Sequence, residues 1–450
     1  MGETYMMGEW ILHIKEFGKI MEATVQPAPF TVFIGDNNSG KSYLMTLLYG
    51  ILSVDFHADH FVFREDSAVF QKCAEIVKNQ IRQLKRHSVV EYHIEKSQLR
   101  LYQKLLNELL ALNKAKFLKK LFNRELDLEE MRIEFQETAK FRFHFTLKEV
   151  QNEEVLYIST NRSSWRIAYE ERFLDIYIVW SLAHILQGML QSGAANPIYF
   201  PTARTGFLLT YKELTRSALK ERFSLETTEK NLLTKPNTDF LMGLSSLDIS
   251  RQNESNQNLT EFIEKHILSG RIQTSGYPML EIEYQPDGTA DHLPMYISSA
   301  VVTETVPLLL FLKYGTVRAF LVEEPEISLH PKLQWEMARV LIRMVNTDLP
   351  VVVTTHSDIM IQHMNNMIKA GTLNCKEHFF QQTGYQKEDL LSKEQVAVYQ
   401  FEEGKDGKTR LTRLPGGDDG FEAMTFYQTL KKINEQIDFI EDEREPNHVL

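Results

Sequence analysis

Phe30-Thr31-Val32-Phe33-Ile34-Gly35-Asp36-Asn37-Asn38-Ser39-Gly40-Lys41-Ser42 decides the reading of this chain: an apolar strand, a Gly-rich turn and the first residues of a helix. Gly35, four residues, then Gly40-Lys41-Ser42 is the spacing of a P-loop, in which main-chain N–H groups and a helix N-terminus face bound phosphate. Two glycines let the backbone wrap closely around the anion, with Asn37, Asn38 and Ser39 filling the turn between them. Lys41 has the reach and charge to meet the β- and γ-phosphates, and the Ser42 hydroxyl is placed to hold Mg²⁺. A chance turn of Gly, Asn and Ser is the bland alternative. The context opposes it, because Val32 to Ile34 supply the strand before the loop and Tyr43 to Leu48 an apolar helical face after it.

Working outward, Trp10 to Ile14 and Ile20 to Val25 read as short strands on either side of Phe17-Gly18-Lys19, a hairpin expected beside the P-loop strand. At 450 residues the chain exceeds what one hydrophobic core usually organises, so more than one lobe is expected. The 43% hydrophobic and 25% charged residues are those of an ordinary globular protein, and the two cysteines form no metal-knuckle pattern. A cytoplasmic protein is expected. No secretory signal is read at the N-terminus, and the most membrane-like run, Ile176 to Leu190, is interrupted by Ser181, His184 and Gln187, so it is read as a core helix and no membrane partner is expected. A net charge of −11 argues against a binder held to nucleic acid by its overall charge, though a local basic patch is compatible with it.

From Ser67 to Phe122 apolar residues recur at helical spacing, and residues 55–140 are read as a helical insertion. It carries Lys114, Lys116, Lys119, Lys120 and Arg124 in one run. Such a run is ordinarily a solvated helix face; here nucleic acid or an acidic partner is the competing reading. Residues 141–290 are read as a middle lobe. In it, alternation through Phe141 to Phe145 and Leu156 to Ile158 predicts antiparallel strands, a helix follows around Phe173 to Leu190, and the polar stretch 225–257 is expected to be flexible. Pro197 to Phe200 reads as a strand entering a loop with Arg204, whose role, structural or facing the nucleotide, the sequence leaves open.

The second constellation is Ala319-Phe320-Leu321-Val322-Glu323-Glu324-Pro325-Glu326, followed by Ile327-Ser328-Leu329-His330-Pro331. An apolar strand ends in two carboxylates. Beside a P-loop, Glu323 is expected on the metal side and Glu324 to polarise the attacking water. Pro350 to Thr354 is another buried strand, delivering His356 to a strand's C-terminal end, where α/β sheets gather ligand contacts.

These motifs resemble the ABC-class ATPases of the RecF, SMC and OLD type, and especially their compact bacterial relatives in the AAA family. The matching parts are Ile14 to Ile20, the Walker A loop Gly35 to Ser42, the Glu323 to Glu326 Walker B, Leu329-His330-Pro331 in the D-loop position and His356 as switch histidine. The resemblance covers residues 8–52 and 290–365. It implies an α/β P-loop NTPase with ABC-ATPase head architecture, mixed sheets plus a helical lobe, whose core is split between residues 1–54 and 291–450. It further implies ATP and Mg²⁺ as cofactors and a homodimer or higher even oligomer, in which a serine of one protomer completes the other's site. The corresponding segment is Tyr296-Ile297-Ser298-Ser299-Ala300; Ala300 stands where the family's Leu-Ser-Gly-Gly-Gln has glycine.

OLD-type relatives carry a Toprim nuclease domain after the ATPase. Phe401-Glu402-Glu403-Gly404 is similar to its first motif, but no Asp-x-Asp follows, and a hairpin turning at Lys405-Asp406-Gly407 is the expected structure. The functional expectation is an ATP-hydrolysing switch or sensor for a separate effector protein, a nuclease or toxin, by resemblance to Septu-, PARIS- and retron-associated anti-phage ATPases. The alternative is a RecF-like repair ATPase that binds DNA directly. A transporter subunit fits less well, given the large insertion, and a non-hydrolysing scaffold would not need both Lys41 and Glu324.

Overall fold

The computed structural model describes residues 10–53, 62, 64, 66–84, 89–136, 142–150, 153–159, 164–168, 178, 196–222, 233–276, 280–373 and 377–442. In chain order its strands begin with β1 (Trp10–Phe17), β2 (Ile20–Val25), β3 (Phe30–Gly35), β4 (Val89–His93), β5 (Leu128–Phe135), β6 (Arg142–Val150), β7 (Glu153–Ser159) and β8 (Ser164–Ala168). They continue with β9 (Asn196–Phe200), β10 (Gly270–Ser275), β11 (Glu281–Pro286), β12 (Leu293–Pro294), β13 (Val317–Glu323), β14 (Val351–Thr355), β15 (Val396–Glu403) and β16 (Thr409–Arg413). Nine of them form one sheet in the order β5-β1-β2-β16-β15-β3-β14-β13-β9.

The sheet has two characters. From β15 to β9 every neighbour is parallel, and β3, β13 and β14 are buried along nearly their whole length, as expected of continuous apolar runs covered on both faces. At the other end β1 pairs antiparallel with β2 and β5, with buried residues alternating along β1 and β5. Successive side chains of a strand point to opposite faces. Phe33 therefore joins one core, with Ile14, Leu44, Leu48 and Leu106, while Val32 and Ile34 join the other, with Val306, Leu309, Leu341 and Val353.

The β1–β2 hairpin forms as read, but not beside the P-loop strand: β15 and β16, from the far end of the chain, lie between them. That pairing joins residues nearly four hundred positions apart, so no local pattern marks it. The β15–β16 hairpin itself matches its expectation, with Gly407 in the left-handed region at its turn. The insertion is less helical and less separate than the sequence suggests. Within 55–140 lie β4 and β5, and β5 is an edge strand of the main sheet, its apolar Leu128, Met131, Ile133 and Phe135 packed into the core. The long helix Lys96–Phe122 lies against the P-loop helix Lys41–Leu52 so closely that a Cβ on Gly50 would come 2.6 Å from Leu121 Cδ2.

Strands β4, β6, β7 and β8 form a separate antiparallel sheet, and β10 to β12 a third. Part of the stretch read as flexible is ordered: Thr234-Lys235-Pro236 opens the helix Lys235–Ser245, whose Phe240, Leu241 and Leu244 are buried. Polar composition concealed three apolar residues at helical spacing there. The helix expected around Phe173 to Leu190 lies outside the described residues apart from Ile178. Among the described residues no helix is long and apolar enough to cross a membrane.

Candidate nucleotide-binding site

The register of three parallel strands builds the site. Thr355 of β14 lies opposite Ile34 of β3, and Glu323 of β13 opposite Thr354, so all three strands end together at one edge of the sheet. The P-loop, the paired glutamates and His356 leave from that edge. In open α/β sheets ligands collect at the carboxyl ends of the strands.

The loop's shape depends on its glycines. Gly35 has φ +143° and its Cβ would stand 2.7 Å from the main-chain oxygen of Phe401; Gly40 has φ +100° with Ile20 Cγ1 at 2.9 Å. Asn38, with φ +61°, takes the left-handed conformation that Asn tolerates. The helix Lys41–Leu52 then starts with Gly40 at its N-cap and no side-chain cap bond, so its first turn presents main-chain donors to an anion. Ser39 is buried, whereas Asn37, Asn38 and Ser42 are exposed at the rim. Lys41 is folded over the loop, donating from Nζ to the oxygens of Gly35 (3.0 Å) and Asp36 (2.7 Å) and to Ser39 Oγ (3.4 Å). Burial pushes its pKa down to about 8, against the pull of Glu324, Asp36, Glu326 and Glu323.

The acidic residues are held differently from one another. Glu323 is 6% exposed; its Oε2 accepts from the Thr202 N–H (3.2 Å), while its Oε1 is buried with no hydrogen-bond partner among the described residues. Burial and the charge of Glu323 hold the neighbouring Tyr199 phenol well above its usual range. Glu324 is more open, and its Oε1 lies 3.7 Å from His356 Nε2. Its backbone is in the left-handed region, φ +42°, uncommon for a residue with a Cβ and a mark of stored strain. The Glu324 N–H donates to the main-chain oxygen of Thr354 (3.0 Å).

Glu326 ties Walker B to the histidine segment, its Oε1 accepting from Thr355 Oγ (2.8 Å) and the His356 N–H (2.7 Å). Burial raises its pKa, partly offset by those bonds. His356 is shifted the other way: burial, then the positive charge of Lys41, lower its pKa and favour the neutral ring. A neutral imidazole offers one donor and one acceptor.

Arg204, left open by the sequence, is buried behind the glutamates and does not face the loop. It donates to the main-chain oxygens of Glu323 (2.8 Å) and Glu324 (3.0 Å) and pairs with Glu304. A charged residue straight after a buried strand was the available signal; its partners are far apart in sequence. Ser298 and Ser299 stand apart from this cluster. Ser298 Oγ donates to the Pro294 oxygen (3.1 Å), and Ser299 is the N-cap of the helix Ala300–Tyr314. Beside them Tyr296 is 76% and Ile297 58% exposed.

The donor set fits a magnesium nucleotide. An uncapped helix N-terminus and a lysine suit the triphosphate, while a serine hydroxyl and an unpartnered buried carboxylate oxygen suit Mg²⁺, which is held by few protein ligands plus phosphates and water.

The AAA ATPase domain family matches residues 11–361, most of the chain, and the protein belongs to that family. With the parallel core and the P-loop at its edge, this defines an α/β P-loop protein of the AAA ATPase domain family. Among solved structures the chain is similar to an SMC head bound to the C-winged helix domain of ScpA, at 13% identity over 91% of this chain and 97% of that one, with a TM-score of 0.38. It is also similar to an Smc head with an extended coiled coil, bound to the C-terminal domain of ScpA derived from Pyrococcus furiosus (12% identity, 96% and 99% covered, TM-score 0.37). A third is the SMC head domain from Thermotoga maritima (10% identity, 90% and 98% covered, TM-score 0.33). At these identities and TM-scores the assignment rests on the chain's own sheet order and on the family match. No curated protein matches the chain.

Proposed function

We propose that the chain binds ATP with Mg²⁺ at the P-loop, hydrolyses it, and uses the nucleotide to close a homodimer that switches a separate effector protein on or off. The observation that carries this is the convergence of Lys41, Glu323, Glu324 and His356 at one end of three parallel strands. Lys41 and the first helical turn hold the triphosphate. Ser42 and Glu323 are the residues to hold Mg²⁺, which when bound neutralises charge developing on the phosphates. Glu324, the more open carboxylate, accepts a proton from the attacking water, and His356 senses the γ-phosphate beside it.

Dimer closure is supported by the exposed Tyr296 and Ile297 next to Ser298 and Ser299, a surface suited to meeting the P-loop of a second copy. A cytoplasmic role in anti-phage defence, with a nuclease or toxin as effector, rests on the resemblance to defence ATPases. A RecF-like reading, with direct DNA binding, is favoured by one observation: Lys116, Lys119, Lys120 and Arg124 are exposed while Leu118 and Leu121 turn inward.

Glu324→Gln tests the central reading, because it removes the base and keeps the shape. The variant is expected to bind ATP, fail to turn it over, and accumulate as an ATP-dependent dimer of twice 52.4 kDa in light scattering. Normal turnover by Glu324→Gln, with turnover lost in Glu323→Gln, would reverse the two roles; normal turnover in both would sink the assignment.

A further inference from the structure

Arg204 uses every nitrogen of its guanidinium. Nη1 donates to the main-chain oxygens of Glu323 (2.8 Å) and Pro201 (3.3 Å), Nη2 to that of Glu324 (3.0 Å), and Nε to that of Glu304 (3.1 Å). Nε also lies 2.9 Å from Glu304 Oε2, and Thr205 Oγ donates to Glu304 Oε1 (2.6 Å). Glu304 sits little more than one turn into the helix Ala300–Tyr314, whose N-terminus carries Ser298 and Ser299. One buried side chain therefore joins the base of that helix to the backbone of both Walker B glutamates.

We propose that Arg204 is a positioning residue through which the helix behind Ser298 and Ser299 sets the orientation of the Glu324 carboxylate. The proposal rests on the ATPase reading given above and extends it to how a partner's arrival reaches the base. Glu324 is in a left-handed conformation that its own side chain disfavours, so something must hold it. Its N–H is held by Thr354 on the neighbouring strand, and its carbonyl accepts from Arg204 Nη2 (3.0 Å) and, within the turn that follows, from the Ile327 N–H (3.0 Å). The first hold is part of the sheet and rigid. The Ile327 bond is local to the turn; the Arg204 bond is attached to Glu304, so a shift of the Ala300–Tyr314 helix moves the guanidinium and pulls on the Glu324 peptide. A planar guanidinium can serve two carbonyls and a carboxylate together; an ammonium is a single point charge without that fork. Arg204 does not touch the P-loop and meets Glu323 at its main-chain oxygen rather than its carboxylate, so the effect on nucleotide affinity is the smaller one.

The test compares Arg204→Lys, Glu304→Gln and the double variant, measuring steady-state ATPase, affinity for a fluorescent ATP analogue and thermal melting. Arg204→Lys is expected to lower kcat about a hundredfold with analogue affinity within about threefold of wild type, the range seen when groups that orient a catalytic ligand are removed. Glu304→Gln, which keeps a hydrogen-bond acceptor and loses the charge, is expected to lower kcat about tenfold, and the double variant to be no slower than Arg204→Lys, because the two residues act in series. If Arg204→Lys does not fold, Glu304→Gln alone must show the kcat loss at unchanged affinity. Wild-type kcat in Arg204→Lys, a parallel loss of analogue binding, or additive effects in the double variant would each overturn the coupling. If the wild-type protein turns over no more ATP than Lys41→Ala, the ATPase reading falls and the coupling with it.

Discussion

The two halves of the proposed site are built in opposite ways. The P-loop half rests on three parallel strands between two cores, with Lys41 and Glu326 held by hydrogen bonds to the loop and to the Thr355–His356 segment. The Tyr296 to Ser299 half is a surface segment whose hydrogen bonds are local and whose two largest side chains point into solvent. A preorganised half can bind nucleotide by itself; an exposed one gains its contacts only against another surface. Binding and turnover should therefore respond separately to substitution.

Lys41→Ala should break the first half, since its ammonium is the positive side chain folded over the phosphate loop; ATP turnover is expected to fall about a thousandfold or more, with nucleotide binding weakened in equilibrium titration. Tyr296→Asp with Ile297→Asp should break only the second. Each protomer would keep its ATP affinity within about threefold, while turnover drops about a hundredfold and light scattering shows no ATP-driven dimer. Equal loss of binding would mean that the two halves are not separable.

The pH dependence sharpens the contrast further. Burial brings Lys41 down to about 8, so the free protein loses its charge as pH rises through 8, and ATP affinity should fall by up to about tenfold per pH unit above that, a dependence absent in Lys41→Ala. Stability runs the other way. The folded pKa lies below the 10.5 of a free lysine side chain, so between about 8 and 10.5 the unfolded chain binds more protons and this group's contribution to stability rises with pH. The smallest effect is expected at Lys116, Lys119 and Lys120, whose side chains are exposed on the helix Lys96–Phe122 and belong to none of the site segments named above. Reversing all three to Glu should leave basal ATPase within about twofold, while nucleic-acid affinity, if this face is used, should show a log–log salt slope of about −0.9 per duplex phosphate contacted in the wild type and lose it in the variant.

Much of the P-loop half is already written in the chain order. A strand, two glycines, a lysine and a serine are contiguous, and their local conformations follow from residue type: positive φ at Gly35 and Gly40, and a helix where no Cβ-branched run or proline interrupts Tyr43 to Leu52. The glutamates and His356 are likewise legible because each ends an apolar run. Arg204 is different. Nothing near it in sequence says that its guanidinium meets the carbonyls of Glu323 and Glu324, more than a hundred residues on. The insertion misleads for a related reason, since the alternation of Leu128 to Phe135 is short and follows a long helix, and its meaning comes from pairing with β1.

By itself the sequence determined the P-loop, the strand-end acids and an α/β P-loop fold, because those depend on backbone conformation and chemistry set within a few residues. Only the tertiary structure decided that β15 and β16 separate the hairpin from β3, that β5 closes the sheet, and that Arg204 joins the helix of Glu304 to the end of β13. Those are contacts between distant segments, selected by which buried faces and unpaired carbonyls can be satisfied together once the whole chain has folded.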